Sequence, residues 1–296
     1  MTGARPSKKR RQKRPAYGWK LPAAALLTAS CLVAGCSLVI PPPTPIVPEV
    51  PVIAETSRAR ELAQALVERA RQLSSMQTAA VMEYREADRH VKAREQILVR
   101  RPGSLRVEAL SPFGLALVVA ANDSHLEIFE PSSDTLYKGD ATAQSLNRFA
   151  QIPLAPKPAV NLLMGLAPDG DALLRAPDSV GSEGGLLIAT YKSADGSVTE
   201  IGFRGPQLAL VRERREGGID CEVRYSDYRD IGGFQFAHRV EADFPRARTH
   251  VNFSYRGPII NGILADSLFA LTPGPATKQV DLNRAGVSSV AGGLDG

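Results

Sequence analysis

Side chains able to ligate a metal, shuttle a proton or attack a carbonyl are few and scattered along this chain. The histidines are His90, His125, His238 and His250, and the cysteines are Cys31, Cys36 and Cys221. A structural metal centre needs about four such ligands converging on one point. His238 lies in the apolar phase of an alternating run, the place of a core histidine rather than of a ligand. If residues 245–247 form a turn, His250 pairs near Ala242 and stands well away from His238. Asp169 and Asp171 flank Gly170 as in an Asx turn, whereas a calcium loop needs more carboxylates in register. "YKGDAT" (137–142) lacks the glycine spacing of a phosphate loop, and no Gly-x-Ser-x-Gly elbow, Cys-x-x-Cys pair or HExxH occurs. These residues make no case for catalysis, and none for a metal or another cofactor.

Two residues stand in less ordinary surroundings, Cys36 and Phe113. Eight of the 36 basic residues fall within the first twenty positions, with no acid among them, and the uncharged run "LPAAALLTASCLVAGCSLVI" (21–40) follows. A basic segment feeding an apolar one is a secretion signal and is set aside from the fold. Twenty uncharged residues also fit an uncleaved membrane anchor, and "KKRRQKR" alone would fit a nuclear or nucleic-acid patch. Against both, "VAGC" (33–36) resembles a bacterial lipobox: apolar, small, small, cysteine. On that resemblance residues 1–35 are a lipoprotein signal peptide and the Cys36 thiol takes a diacylglyceryl group. The remainder has 28 basic against 31 acidic side chains, about −3 net, so the whole chain's charge of +5 does not indicate a nucleic-acid partner. Cys31 leaves with the signal. No disulfide then forms within the domain, and Cys221 reads as a small buried hydrophobe on a strand.

Residues 41–56, "PPPTPIVPEVPVIAET", hold six prolines in sixteen positions. Such a run favours polyproline II at ~3.1 Å per residue, a semi-rigid tether of about 50 Å. Within residues 57–73, apolar side chains recur at Ala59, Leu62, Ala63, Leu66, Ala70 and Leu73, the stripe of an amphipathic helix with Thr56 or Ser57 as its cap. The period then changes to two. Leu105, Val107 and Ala109 oppose Arg106 and Glu108. Phe234, Phe236, Val240, Ala242 and Phe244 oppose Gln235, Arg239, Glu241 and Asp243, and residues 250–255 repeat the pattern. Nine to eleven such runs are counted between about Thr78 and Gly262, interrupted by short helices near 143–150 and 159–164. A wide antiparallel sheet curls. The predicted fold is therefore mainly β: an open antiparallel half-barrel whose concave apolar face is lidded by the N-terminal helix and the two short ones. It spans residues 57–282 and ends in a flexible tail, 283–296.

Four segments together resemble the LolB-type lipoproteins, outer-membrane receptors that insert other lipoproteins, and more loosely the LolA/LolB-like superfamily. They are "RPGSLRVEALSPFG" (101–114), "LNRFAQIPLAPKPAVNLLMGLAPDGD" (146–171), "VRYSDYRDIGGFQFAHRVEADFP" (223–245) and "INGILADSLFALTPGP" (260–275). The third departs from the family, with Phe236-Ala237 where many relatives carry proline, and the fourth is closer to LolA and uncharacterised relatives. The resemblance implies a half-barrel that binds acyl chains and a protruding Pro-apolar-Gly turn that delivers them to membrane. That role falls here on Pro112, Phe113, Gly114 and Leu115. It implies acylated lipoproteins or lipid, the outer membrane and a periplasmic LolA-like carrier as partners of a monomeric, lipid-anchored domain facing the periplasm.

The same trough would also serve a lipid-sensing or protein-interaction module that carries no cargo, and an enzyme with a dispersed site is the third class. Two structural expectations separate these readings. Phe113 should stand out from its turn and not fold back to plug its own sheet. The concave face should be an accessible trough, vacant for fatty tails.

Overall fold

The computed structural model describes residues 52–87, 89–150 and 154–283. The signal segment, Cys36, the tether as far as residue 51 and the tail beyond 283 lie outside them. Helix α1 (Val52–Gln72) starts directly after the last proline of the run, so residues 52–56 begin the helix and neither Thr56 nor Ser57 caps it. The end of the proline run, rather than the first hydroxyl, sets its start. Ala59, Leu62, Ala63 and Leu66 form its buried stripe, as their spacing predicts.

Six strands follow as a meander: β1 (Ser75–Glu86), β2 (Arg89–Arg100), β3 (Ser104–Ser111), β4 (Gly114–Ala121), β5 (His125–Glu130) and β6 (Thr135–Asp140). The chain then crosses to the opposite edge through α2 (Ala143–Ala150), α3 (Pro156–Leu163) and a 3-10 turn, Asp171–Leu174. A second meander returns: β7 (Ser179–Glu183), β8 (Leu186–Lys192), β9 (Val198–Arg204), β10 (Gln207–Arg215), β11 (Gly218–Ile231), β12 (Phe234–Phe244) and β13 (Thr249–Ile260). Strand β13 pairs antiparallel with β1 and joins the two meanders. A last strand, β14 (Lys278–Asp281), runs parallel to β6, so one fourteen-stranded sheet ends at β14 and β7. Those edges are not paired with each other. The result is the open half-barrel with helices that the alternation predicts.

Among the described residues thirteen strands, β1 to β13, occupy the window where nine to eleven are predicted, and β14 lies beyond it. Edge strands escape the pattern because they have no buried face to impose a period of two. Strand β7 is exposed or half-buried throughout, and so is β14. Helix α3 begins at Pro156, ahead of the predicted 159. Proline is tolerated at the first helical positions, where its missing N–H costs nothing, and the extended Ala155 precedes it.

The outer face is organised by charge. Arg212 on β10, 5% exposed, meets Glu183 at 2.9 Å, Glu200 at 2.8 Å and Glu222 at 2.5 Å, which ties β7, β9 and β11 together. On the other wing the segment after β13 forms a strap. Arg100 donates to the Leu264 carbonyl at 2.8 Å and lies 4.9 Å above the Phe269 ring centroid. Arg106 donates to the Leu268 carbonyl at 2.9 Å, and the Leu271 N–H donates to Glu127 at 2.5 Å. The strap thus crosses β2, β3 and β5 before adding β14 to β6. It gives the C-terminal extension a structural role, covering an edge that would otherwise offer unpaired backbone groups.

Candidate functional site

The β3–β4 hairpin turns through Pro112 and Phe113, with Ser111 paired to Gly114. The Ser111 hydroxyl accepts the Phe113 N–H at 3.2 Å and donates to the Gly114 carbonyl at 3.1 Å, which fixes the loop from within. Gly114 has φ of 120°, a conformation that L side chains rarely adopt, so glycine is required at this position. A bulge follows: Ala109 pairs with Leu117, but Leu110 pairs with Leu115, leaving Ala116 as the extra residue. One extra residue moves a side chain to the opposite face of a strand. Leu117 packs against the core while Leu115 is exposed beside Leu110. Phe113 at the tip is 93% exposed, so it does not fold back onto its sheet. Three apolar side chains therefore crown one hairpin.

The inner face differs from the predicted vacant trough. Topology forces the chain to cross from β6 to β7, and it does so against the apolar face. α1 packs near β7 and β8, and α3 packs against β3. Leu62, Leu66, Leu146, Val160, Leu162 and Met164 are buried in the same core as Ile97, Val119 and Tyr191 of the sheet. Among the described residues, the cavity between α1 and the α3 region, lined by Leu66, Ala70, Asn161, Leu166 and Leu173, measures about 20 Å³. That is room for about one water molecule and far too little for an acyl chain. The lid sits in the trough and not above it.

Polar contacts hold that lid down at its ends. Arg101 donates to the Ala70 carbonyl, to the Leu73 carbonyl at 3.3 Å and to the Asn161 side chain at 3.2 Å, so one guanidinium joins α1 to α3. Carbonyls at a helix C-terminus lack intrahelical partners and favour a cation. The last carbonyls of α3 are taken by tyrosines of the sheet: Tyr225 donates to Leu162 and Tyr255 to Leu163, each at 3.0 Å. Arg69 of α1 donates to the Gln235 carbonyl and lies 5.8 Å from the Phe236 ring centroid. Burial pushes its guanidinium below the ordinary arginine range.

The other sequence-predicted residues fall as follows. Cys36 lies outside the described residues. Cys221 is buried with its thiol pushed far up by desolvation, an inert packing residue. His238 is buried with Nδ1 3.1 Å from the Phe236 carbonyl. His250 lies 2.6 Å from Asp243, its strand partner and the residue next to Ala242, near where the turn places it. Asp169 accepts the Asp171 N–H at 3.1 Å, the Asx turn that was predicted. Among the described residues no three histidine, cysteine or carboxylate side chains could hold a metal. The sequence reading missed Arg101, the two tyrosines and Glu95. The last was accessible, since Val91, Ala93, Glu95, Ile97 and Val99 share the buried phase of β2 and only one of them is an acid.

No family model and no curated protein sequence matches the chain. Solved structures do resemble it. A DUF1329 family protein from Desulfovibrio piger ATCC 29098 matches with a TM-score of 0.50 at 10% identity, over 73% of this chain and 97% of that one. The LolA superfamily protein NE2245 from Nitrosomonas europaea matches with a TM-score of 0.47 at 14% identity, over 71% and 97%. At identities this low the likeness concerns the fold.

Proposed function

We propose that the chain is an envelope lipoprotein, anchored through Cys36 in the outer membrane with its domain facing the periplasm. It takes acyl chains of lipoproteins against its inner face and helps insert them into the bilayer, without catalysing a reaction of its own. Its partners on this reading are acylated lipoproteins or lipid, the outer membrane, and a periplasmic LolA-like carrier. The observation that carries the proposal is the hairpin tip. Phe113 is 93% exposed, with Leu110 and Leu115 beside it on the same hairpin. Entering an apolar phase gains such a ring ~1.5–3 kcal/mol. That biases the domain toward lipid without trapping it there.

The filled trough requires that cargo displace the lid. Lifting Ala59, Leu62, Ala63 and Leu66 off the sheet costs roughly 5–8 kcal/mol of apolar burial. Acyl chains hold tens of methylenes at ~0.8 kcal/mol each, so their burial outweighs the helix and the exchange runs toward bound lipid. The test uses Phe113→Glu. It should leave folding and acyl binding intact and stop transfer of a lipoprotein into vesicles; full transfer by this variant refutes the reading.

The helix seated in the trough equally fits a second reading, a lipid-sensing or protein-interaction module that never carries cargo. Depletion of the protein in cells separates the two, since only loss of a carrier strands other lipoproteins in the periplasm or inner membrane.

A further inference from the structure

Glu95 is the acid in the buried phase of β2, on the inner face of the sheet. It points with Ala93 and Ile97 toward the core, paired across to Ala80 on β1 and Ala109 on β3. These flanking side chains are small, and Tyr255 beyond Ala80 already donates its hydroxyl to the Leu163 carbonyl of α3. Glu95 is 6% exposed and its Oε2 has no hydrogen-bond partner. A buried polar atom left unmatched costs about 1–3 kcal/mol, and an alanine or leucine here would complete the apolar row. Burial pushes the acid up to about 8, so at neutral pH it carries its proton and can donate as well as accept. The row lies beneath the end of α3, where a chain entering under the lifted lid would rest.

We propose that Glu95 is the polar contact of the lipid site, donating a hydrogen bond to an ester or amide carbonyl at the head of a bound acyl chain. This rests on the acyl-binding reading and names the chemistry of its ligand: an acylated ester or amide, with the hydrocarbon against the leucines and valines and the carbonyl at Glu95. An ester-linked phospholipid and an acylated cysteine share that group.

The experiment measures displacement of anilinonaphthalene sulfonate from the full mature chain by three probes: a tripalmitoylated cysteinyl peptide, a diacyl phosphatidylglycerol and its diether analogue without carbonyls. Wild type should bind both acyl probes about five- to tenfold more tightly than the diether, the worth of one hydrogen bond. Glu95→Leu should bind all three alike, near the diether value, while Glu95→Gln, which keeps a donor, should retain the preference. A peptide bound better than the phospholipid identifies lipoprotein as the source, and equal binding identifies any acyl ester; either supports the proposal. A preference that survives in Glu95→Leu, or a wild type that binds all three probes alike, overturns the role of Glu95 and leaves acyl binding standing. A wild type that binds none of them overturns both.

Discussion

Replacing Glu95 by glutamine removes the acid that burial holds in its protonated form, and the effect must depend on pH. Below about pH 4.5, the ordinary value for a glutamate, the side chain is protonated in both the folded and the unfolded chain. From there to about 8 the unfolded chain gives up the proton while the folded chain keeps it, so stability falls as pH rises. At 1.36 kcal/mol per pH unit the loss reaches roughly 5 kcal/mol once pH exceeds the folded value. Glutamine never ionises, so the variant escapes the slope. Urea unfolding of the mature chain, with Cys36 replaced by serine, should give equal stabilities near pH 4. The Glu95→Gln variant should then gain steadily, to a few kcal/mol by about pH 8. Parallel curves for the two proteins across this range would refute the reasoning, because they would mean that Glu95 ionises as freely in the fold as outside it.

Other perturbations follow from the same contacts. Phe113→Glu should change unfolding stability by less than about 0.5 kcal/mol, since the ring touches little, yet abolish binding to lipid vesicles in a flotation assay. Arg212→Leu leaves Glu183, Glu200 and Glu222 facing one another on the outer sheet and should cost about 3–5 kcal/mol in chemical denaturation. Arg101→Ala frees the carbonyls of Ala70 and Leu73 and the side chain of Asn161; hydrogen exchange should quicken in α1 and α3, and acyl probes should bind faster. Ending the chain before Lys278 removes β14 and bares β6, so light scattering should show self-association on warming.

How much of this was legible in the sequence depended on whether a residue's neighbours were local. The alternation of Phe236, Val240, Ala242 and Phe244 is a property of one strand, and β12 has the predicted bounds. The stripe Ala59, Leu62, Ala63, Leu66 likewise identified α1, and the Pro112-Phe113-Gly114 turn marked the hairpin tip. What could not be read locally was where α1 goes. An amphipathic helix looks the same whether it covers a trough or fills it, and only the crossing from β6 to β7 shows that the helices lie within. Arg101 looked like one arginine among many because its partners, Ala70 and Asn161, lie far away in sequence. The strap was invisible for a related reason: the arginines that hold residues 264–271 sit on β2 and β3 and bind backbone carbonyls, which any sequence supplies. The 245–247 turn was legible too: it placed His250 near Ala242, and its strand partner is the next residue, Asp243.

The central claim is that fatty chains occupy the inner face once the helices lift, and site-specific photocrosslinking in living cells tests it most directly. A photoreactive residue at Leu117 faces the core beside the hairpin tip, whereas one at Arg239 sits on the exposed phase of β12. The account predicts crosslinks to acylated lipoproteins from position 117, absent from position 239 and reduced when the cargo's acylation is blocked. Crosslinks of equal strength from both faces, or none from 117 under conditions where lipoproteins are being sorted, would contradict it.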